Sequence, residues 1–381
     1  MTAGAVKLAH VWSSDMGIVL SLPQLRHFVA RGWEVFAICP DGPRLDEVRR
    51  AGVTWLPIPL SRRLVDPAGD LRSAARIATY CRRHRFDLVH THNVKTGFIG
   101  RLFARAGGAP RVLHTMHGMP FGAETPAMRR LGHAGLEWLA CRFVDRVLVQ
   151  SEEDLRTMQA HRLLPAGRLT RIGNGVPLDR FDPARADGAA VRAELGIAPH
   201  ELLVVSAGRL VRSKGFVELA EATRLARIEE PRLRVAIVGP RDLDKADALT
   251  DRELDAARAA GVLLPGERAD MPDVLAAADI VTLPSWHEGM PRVLIEGAAL
   301  GKPLVATNVR GCREVVVDPD GGALTPVRDA HALAHALVAL ARDPARRKAA
   351  GAFNRARALA EYDVSAVIRR VEAVYEELLA A

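Results

Sequence analysis

Aromatic residues make up only 5% of this 381-residue chain, and its four cysteines, Cys39, Cys81, Cys141 and Cys312, lie far apart. No CxxC pair exists, so the sequence indicates neither a disulfide framework nor a structural zinc site. No uncharged apolar stretch reaches about 18 residues, which leaves no candidate for a membrane-spanning helix. The N-terminus has one early lysine and no long apolar run, which argues against a secretory leader. GxGxxG and GxxxxGK[ST] are both missing, so neither a nicotinamide fingerprint nor a P-loop is expected. Few aromatics interleave with the arginines and no DNA- or RNA-binding signature occurs, so nucleic acid is not an expected partner. Together these absences point to a reducing, cytoplasmic compartment.

What is present is an ordinary globular composition, 49% hydrophobic and 26% charged, in a chain long enough for two or three domains. The formal charge of +8 is lopsided: residues 1–190 carry 27 Lys and Arg against 17 Asp and Glu, a net of +10, and the remainder is −2. A GC-rich genome would by itself raise arginine. The cluster Arg62, Arg63, Arg72, Arg76, Arg82, Arg83 and Arg85 around one predicted helix suggests more: a basic surface suited to an anionic membrane leaflet or a phosphate-bearing ligand.

Short apolar runs alternate with helical patterns from Val6–Val11 onward, which predicts a parallel sheet covered on both faces. The rhythm restarts after Gly173-Asn174-Gly175-Val176-Pro177, where five further strands are predicted between 202 and 307. The fold class expected is α/β, two Rossmann-like doubly wound domains over 1–180 and 181–363, facing across a cleft. A last helix, 364–381, carries apolar residues at helical spacing and should pack one face onto a domain. In such sheets ligands bind beyond the C-terminal strand ends.

Four such loops hold the candidate chemistry. In Glu288-Gly289-Met290-Pro291-Arg292-Val293-Leu294-Ile295-Glu296, a helix start marked by Pro291 offers the N–H groups of Gly289, Met290, Arg292 and Val293 to an anion, with a carboxylate on either side. An acidic cap would explain Glu288 alone. In Gly208-Arg209-Leu210-Val211-Arg212-Ser213-Lys214-Gly215, Arg209 and Lys214 could reach one diphosphate, although two solvated charges would be unremarkable in isolation. The strand ends His90-Thr91-His92 and His114-Thr115-Met116-His117-Gly118 invite a zinc reading. Adjacent strand positions face opposite ways and no acid or cysteine completes a motif, so His117 reads better as a hydrogen-bonding group at the cleft. In Ser13-Ser14-Asp15-Met16-Gly17, Gly17 would allow close approach of a ligand. The two DxD strings, Asp242-Leu243-Asp244 and Asp318-Pro319-Asp320, read as cap and turn chemistry. No metal and no cofactor are expected.

Taken together, these strings resemble the family 4 glycosyltransferases, retaining enzymes of the two-domain GT-B fold, over nearly the whole chain. Glu288…Glu296 is similar to that family's E-x7-E motif, and Arg209…Lys214 to its G-R-x4-K-G segment. Residues 171–176 are similar to the interdomain segment, which makes Asn174 a candidate substrate contact. The resemblance implies Glu288 on donor-sugar hydroxyls, Glu296 on the ribose, Arg209 and Lys214 on the diphosphate, and His117 by the transferred sugar. It also implies that the last helix crosses back to the N-terminal domain. The first loop departs from the usual Gly-Gly-Ala-Glu, and Gly297 replaces the usual Ala. The first-loop departure looks most like bacterial polysaccharide-assembly members, which extend lipid-diphosphate-linked sugars. The expected partners are a nucleotide diphosphate sugar, most often UDP-linked in the family, a lipid-linked acceptor, and an anionic membrane met through Arg72, Arg76 and Arg83. The alternatives are a nucleotide-sugar 2-epimerase, a transferase acting on a soluble acceptor, and a non-catalytic binding module.

Overall fold

The computed structural model describes residues 4–60, 66–119, 121, 126–243 and 245–381; Arg62, Arg63 and Asp244 lie outside them. The chain divides into two compact units, Met1–Gly173 with Val367–Ala381, and Asn174–Ala366.

In the first unit seven strands, β1 (Lys7–Val11), β2 (Glu34–Cys39), β3 (Thr54–Pro57), β4 (Leu88–His92), β5 (Arg111–Met116), β6 (Arg146–Val149) and β7 (Leu169–Arg171), form one sheet in the order β3-β2-β1-β4-β5-β6-β7. Every pair is parallel. Strands such as Leu88–His92 are buried along their whole length because helices cover both faces. The helix Pro67–His84 shows how local chemistry places such a cover. Asp66 caps it by accepting from the Gly69 N–H, and Pro67 occupies the first turn. Ser73, Ala74, Ile77, Ala78 and Cys81 form the buried stripe, and Arg72, Arg76, Arg82 and Arg83 face solvent. The helix Val94–Ala106 lies close on the sheet because a Cβ at Gly97 would sit 2.4 Å from the His114 ring.

The second unit contains β8 (Leu202–Ala207), β9 (Leu233–Val238), β10 (Val262–Gly266), β11 (Ile280–Leu283), β12 (Leu304–Thr307) and β13 (Gly322–Thr325), again all parallel, in the order β10-β9-β8-β11-β12-β13. Sequence reading misses β13, since Asp-Pro-Asp-Gly-Gly reads as a turn. Gly322 has φ +151°, and a Cβ there would meet the Leu304 carbonyl, so glycine is what lets the edge strand pair. The alanine-rich helix Pro344–Glu361 and the short helix Arg310–Val315 also escape a periodicity search. The helix after β9 begins at Asp251, where Thr250 and Glu253 form a reciprocal capping box. The first loop is the start of a short helix, Asp15–Leu20, capped by Ser14.

Residues 174–180, placed by sequence in the N-terminal domain, belong to the second unit, where the Val176 N–H donates to the Tyr362 carbonyl and the Val176 carbonyl accepts from the Val364 N–H. The final helix, Val364–Ala380, buries Val367, Ile368, Val371, Val374, Tyr375 and Leu378, and those of its residues that join a core pack with Leu8, Trp12, Leu25 and Phe28 of the N-terminal unit. In both sheets the strand order reverses once, between β1 and β4 and between β8 and β11. Connections leave those neighbours in opposite directions and open a crevice at their C-terminal ends.

One buried ion pair ties the helices on one face of the N-terminal sheet. Arg101, in Val94–Ala106, makes a bidentate fork to Glu137, in Ala127–Ala140, at 2.6 and 2.9 Å. Removing one charge strands the other, so Glu137→Gln is expected to lower stability by about 3–5 kcal/mol, while the paired change Arg101→Met with Glu137→Leu costs far less. Urea unfolding of both variants checks this.

Candidate functional site

The reversal point of the C-terminal sheet gathers the charged residues picked out by sequence. Gly208 and Arg209 leave β8, and the turn Arg212–Lys214 then folds back through Gly215. Gly215 has φ +71°, and any Cβ would strike the Pro284 carbonyl at the end of β11. That contact brings Lys214 alongside the loop after β11. Lys214 Nζ lies 2.5 Å from Glu288 Oε1, and Ser285 Oγ donates to the same oxygen at 2.6 Å. The pair is largely sheltered, the side chains being 23% and 12% exposed, which strengthens their attraction relative to a surface pair. Arg209 is half exposed and salt-bridged to Asp242 at 3.1 Å. Each expected diphosphate cation therefore has a carboxylate partner in this structure.

Pro291 caps the helix Arg292–Ala299 rather than opening it, so Glu288, Gly289 and Met290 form a bend before the helix and Glu296 lies within it. Asn174 Nδ2 donates to the Met290 carbonyl at 3.0 Å and holds the bend. Gly311 lets the helix Arg310–Val315 approach, since a Cβ there would lie 2.0 Å from the Gly289 carbonyl. Glu296 faces Arg292 at 3.6 Å; burial raises its pKa, against the pull of Arg292 and Arg180. Val293 packs against the core cluster of this unit. Neither DxD string gathers ligands among the described residues: Asp242 engages Arg209, and Asp318 accepts from the Leu324 N–H at 3.2 Å, which is turn chemistry.

The reversal point of the N-terminal sheet holds a different cluster. Sequence reading set the histidines apart by strand alternation, but His90 and His92 are two apart and share a face, and in register His10 of β1 stands opposite His90. The rings of His10, His90 and His92 are buried and their nitrogens converge within 4.8 Å of one another. They bond to each other and to neighbours: His10 Nδ1 to His92 Nε2 at 2.9 Å, His92 Nδ1 to His117 Nε2 at 3.1 Å, and His90 Nε2 to Thr115 Oγ1 at 2.7 Å. Trp12 stacks on His92 at 4.0 Å, and Tyr375 closes the cluster through its hydroxyl. Three imidazoles are a donor set that zinc or a similar ion accepts, but among the described residues no carboxylate or thiol joins them. The close approach that Gly17 permits is that of the Trp12 indole, 2.3 Å from where a Cβ would be. Sequence reading gave no role to His10, Trp12, Ser285 and Tyr375, and read Asp242 as cap chemistry rather than as the partner of Arg209. For His10 the signal is its register opposite His90, and reading it requires the sheet order.

Comparison with known proteins fits this geometry. Residues 201–343 match the family described as Glycosyl transferases group 1, and residues 24–180 match Glycosyltransferase Family 4. The D-inositol 3-phosphate glycosyltransferase of Kineococcus radiotolerans is 33% identical over 75% of this chain and 69% of its own. The chain belongs to the family 4 glycosyltransferases. It is 28% identical, over 90% of its length and 89% of the relative's, to the UDP-Gal:alpha-D-GlcNAc-diphosphoundecaprenol alpha-1,3-galactosyltransferase of Escherichia coli. Among solved structures, Anabaena HepE in complex with UDP and glucose superimposes with a TM-score of 0.79 at 20% identity, covering 97% of this chain and 99% of that one, which shows the GT-B fold. The glycosyltransferase thus carries its strand-end clusters on the architecture expected of its family.

Burial pulls the His10 pKa down to about 3 and that of His117 to about 4, and holds His90, His92 and His114 well below the ordinary value. Free histidine titrates near 6.5, so between about pH 6.5 and 4 the unfolded chain binds more protons than the folded one. Stability is then complete above pH 6.5 and lost as pH falls, by up to about 1.4 kcal/mol per pH unit for each histidine. Urea unfolding from pH 7.5 to 4.5, followed at the tryptophans, should show this slope, shallower when His114 is replaced by Gln.

Proposed function

We propose that this enzyme transfers a sugar, with retention of anomeric configuration, from a nucleotide diphosphate donor, UDP-linked, to a hydroxyl of a lipid-linked glycan or polysaccharide precursor. The observation that carries the reading is the set Arg209, Lys214 and Glu288 at the reversal point of β8 and β11, beside the helix start at Pro291. When the donor enters, the diphosphate replaces Glu288 and Asp242 as the anionic partner of the two cations. Glu288 is thereby released to accept hydrogen bonds from sugar hydroxyls, and Glu296 takes the ribose hydroxyls. Arg209, Lys214 and the N–H groups of Gly289 through Val293 stabilise the charge that grows on the leaving diphosphate, which makes the transfer metal-independent. The bond from the anomeric carbon to the phosphate oxygen breaks. The acceptor oxygen bonds to the same face, and its proton passes to the departing phosphate. Asn174 fixes the carbonyl of Met290 and so the direction of the bend. His117 hydrogen-bonds the transferred sugar.

The UDP donor is supported by the Escherichia coli relative, which uses UDP-Gal, and by the HepE complex with UDP; the lipid-diphosphate acceptor is supported by the same relative. Among the described residues no helix is long and apolar enough to cross a membrane. A lipid-borne acceptor would then be met at the bilayer surface. Two helices of the N-terminal unit suit that task, and Val94–Ala106 packs against both. Pro67–His84 exposes Arg72, Arg76 and Arg83, and Ala127–Ala140 exposes Met128, Leu131, Leu136 and Trp138, with Arg142 over the Trp138 ring. Charge and apolar area together are what an anionic leaflet binds.

Transfer from a panel of UDP-, GDP- and ADP-sugars to a lipid-diphosphate sugar, with the product anomer read by NMR, tests the assignment; an inverted anomer refutes retention. Lys214→Ala and Arg209→Ala should each lower kcat by about 10²–10³. Co-sedimentation with anionic vesicles should fall on charge reversal at Arg72, Arg76 and Arg83, and again on Leu131→Glu; binding unchanged by either removes the membrane contact.

A further inference from the structure

Beyond the donor site, the N-terminal unit contains a continuous line of hydrogen-bonding rings that ends at His117. Tyr375, on the final helix, contacts His90 Nδ1 through its hydroxyl, lies 3.4 Å from His10 Nε2, and accepts from Gln24 Nε2 at 3.3 Å. His10 then reaches His92, and His92 reaches His117, at 2.9 and 3.1 Å. On the other branch His90 meets Thr115 at 2.7 Å. His10, His90 and His92 each use both nitrogens, and among the described residues no carboxylate joins the three.

A neutral imidazole has one N–H and one lone pair, so rings in series must all point the same way. Only two arrangements satisfy every group. In one, the Tyr375 hydroxyl donates to His90, His90 Nε2–H donates to Thr115, and the N–H groups of His117, His92 and His10 run back towards the Tyr375 oxygen. His117 then carries its proton on Nε2 and presents a bare Nδ1. In the other, Tyr375 donates to His10, every N–H reverses, and His117 presents Nδ1–H. The phenol is the stronger hydrogen donor, so its proton goes to its closer partner. That partner is His90.

We propose that Tyr375 is a positioning residue that, through His10 and His92, locks His117 in the Nε2–H tautomer, so that its outward nitrogen accepts a hydrogen bond. The class of group it serves is a hydrogen donor such as a sugar hydroxyl; Gln150, whose bond favours the protonated ring, is an acceptor and not that group. The consequence for transfer rests on the reading of His117 beside the sugar; the lock itself does not.

The test is long-range 1H–15N spectroscopy of the full chain labelled with 15N-histidine. The wild type should show His117 at least about tenfold in favour of Nε2–H, the bias that one good hydrogen bond supplies. Tyr375→Phe keeps the ring but orphans the His10 N–H of that arrangement, and Thr115→Val keeps the volume but orphans the His90 N–H. A buried N–H without an acceptor is worse tolerated than a bare lone pair. Both variants should therefore move His117 towards Nδ1–H, to equal populations or beyond. His117 on Nδ1–H in the wild type, His117 unmoved in both folded variants, or a stoichiometric transition metal bound by the triple in the purified protein each overturns the proposal. Unimpaired transfer by His117→Ala would instead remove the sugar-binding role and leave the lock standing.

Discussion

Parallel pairing sends the carbonyl end of every strand to the same edge of the sheet. Nearly all polar chemistry in this protein follows from that constraint. Helices bury both faces of each sheet, so the interior strand positions hold apolar side chains or uncharged histidines and hydroxyls. What remains are the loops at the C-terminal strand ends, and among them the reversal points β1/β4 and β8/β11, where neighbouring connections part. Trp12 and His92 mark the first; Arg209, Pro284 and Glu288 mark the second.

The two reversal points solve the same dielectric problem differently. In the C-terminal unit charge is kept and paired: Lys214 with Glu288, Arg209 with Asp242, Arg292 with Glu296. Pairs of this kind are exchangeable, because an incoming anion can take the place of the carboxylate. In the N-terminal unit charge is suppressed. His10, His90 and His92 are buried without a counter-ion, so burial keeps them neutral and their hydrogen bonds are with each other. Neutral rings in series carry directional information where charged groups would carry electrostatic force.

Glycine recurs at the points where these arrangements close. Gly215 lets the Lys214 turn touch the end of β11, and Gly311 lets a helix end meet the Glu288 bend. At each, a single Cβ would meet backbone rather than a movable side chain, so the site cannot be loosened by side-chain adjustment.

The alternation of apolar runs and helical stripes, the charge asymmetry, and the strings Arg209…Lys214 and Glu288…Glu296 were readable from the chain alone, because they are local: periodicity, capping and spacing within about ten residues. So was the restarted α/β rhythm behind the two units, and so was the apolar stripe of the last helix, although its return to the N-terminal unit was implied only by the family resemblance. Partnership was not readable. That Lys214 holds Glu288, that Asp242 holds Arg209, and that His10, Trp12 and Tyr375 complete the ring line with His117 depends on strand order and on a helix more than 250 residues away. Such contacts join residues with no shared period, and only the closing of the sheets decides which of many possible neighbours they meet.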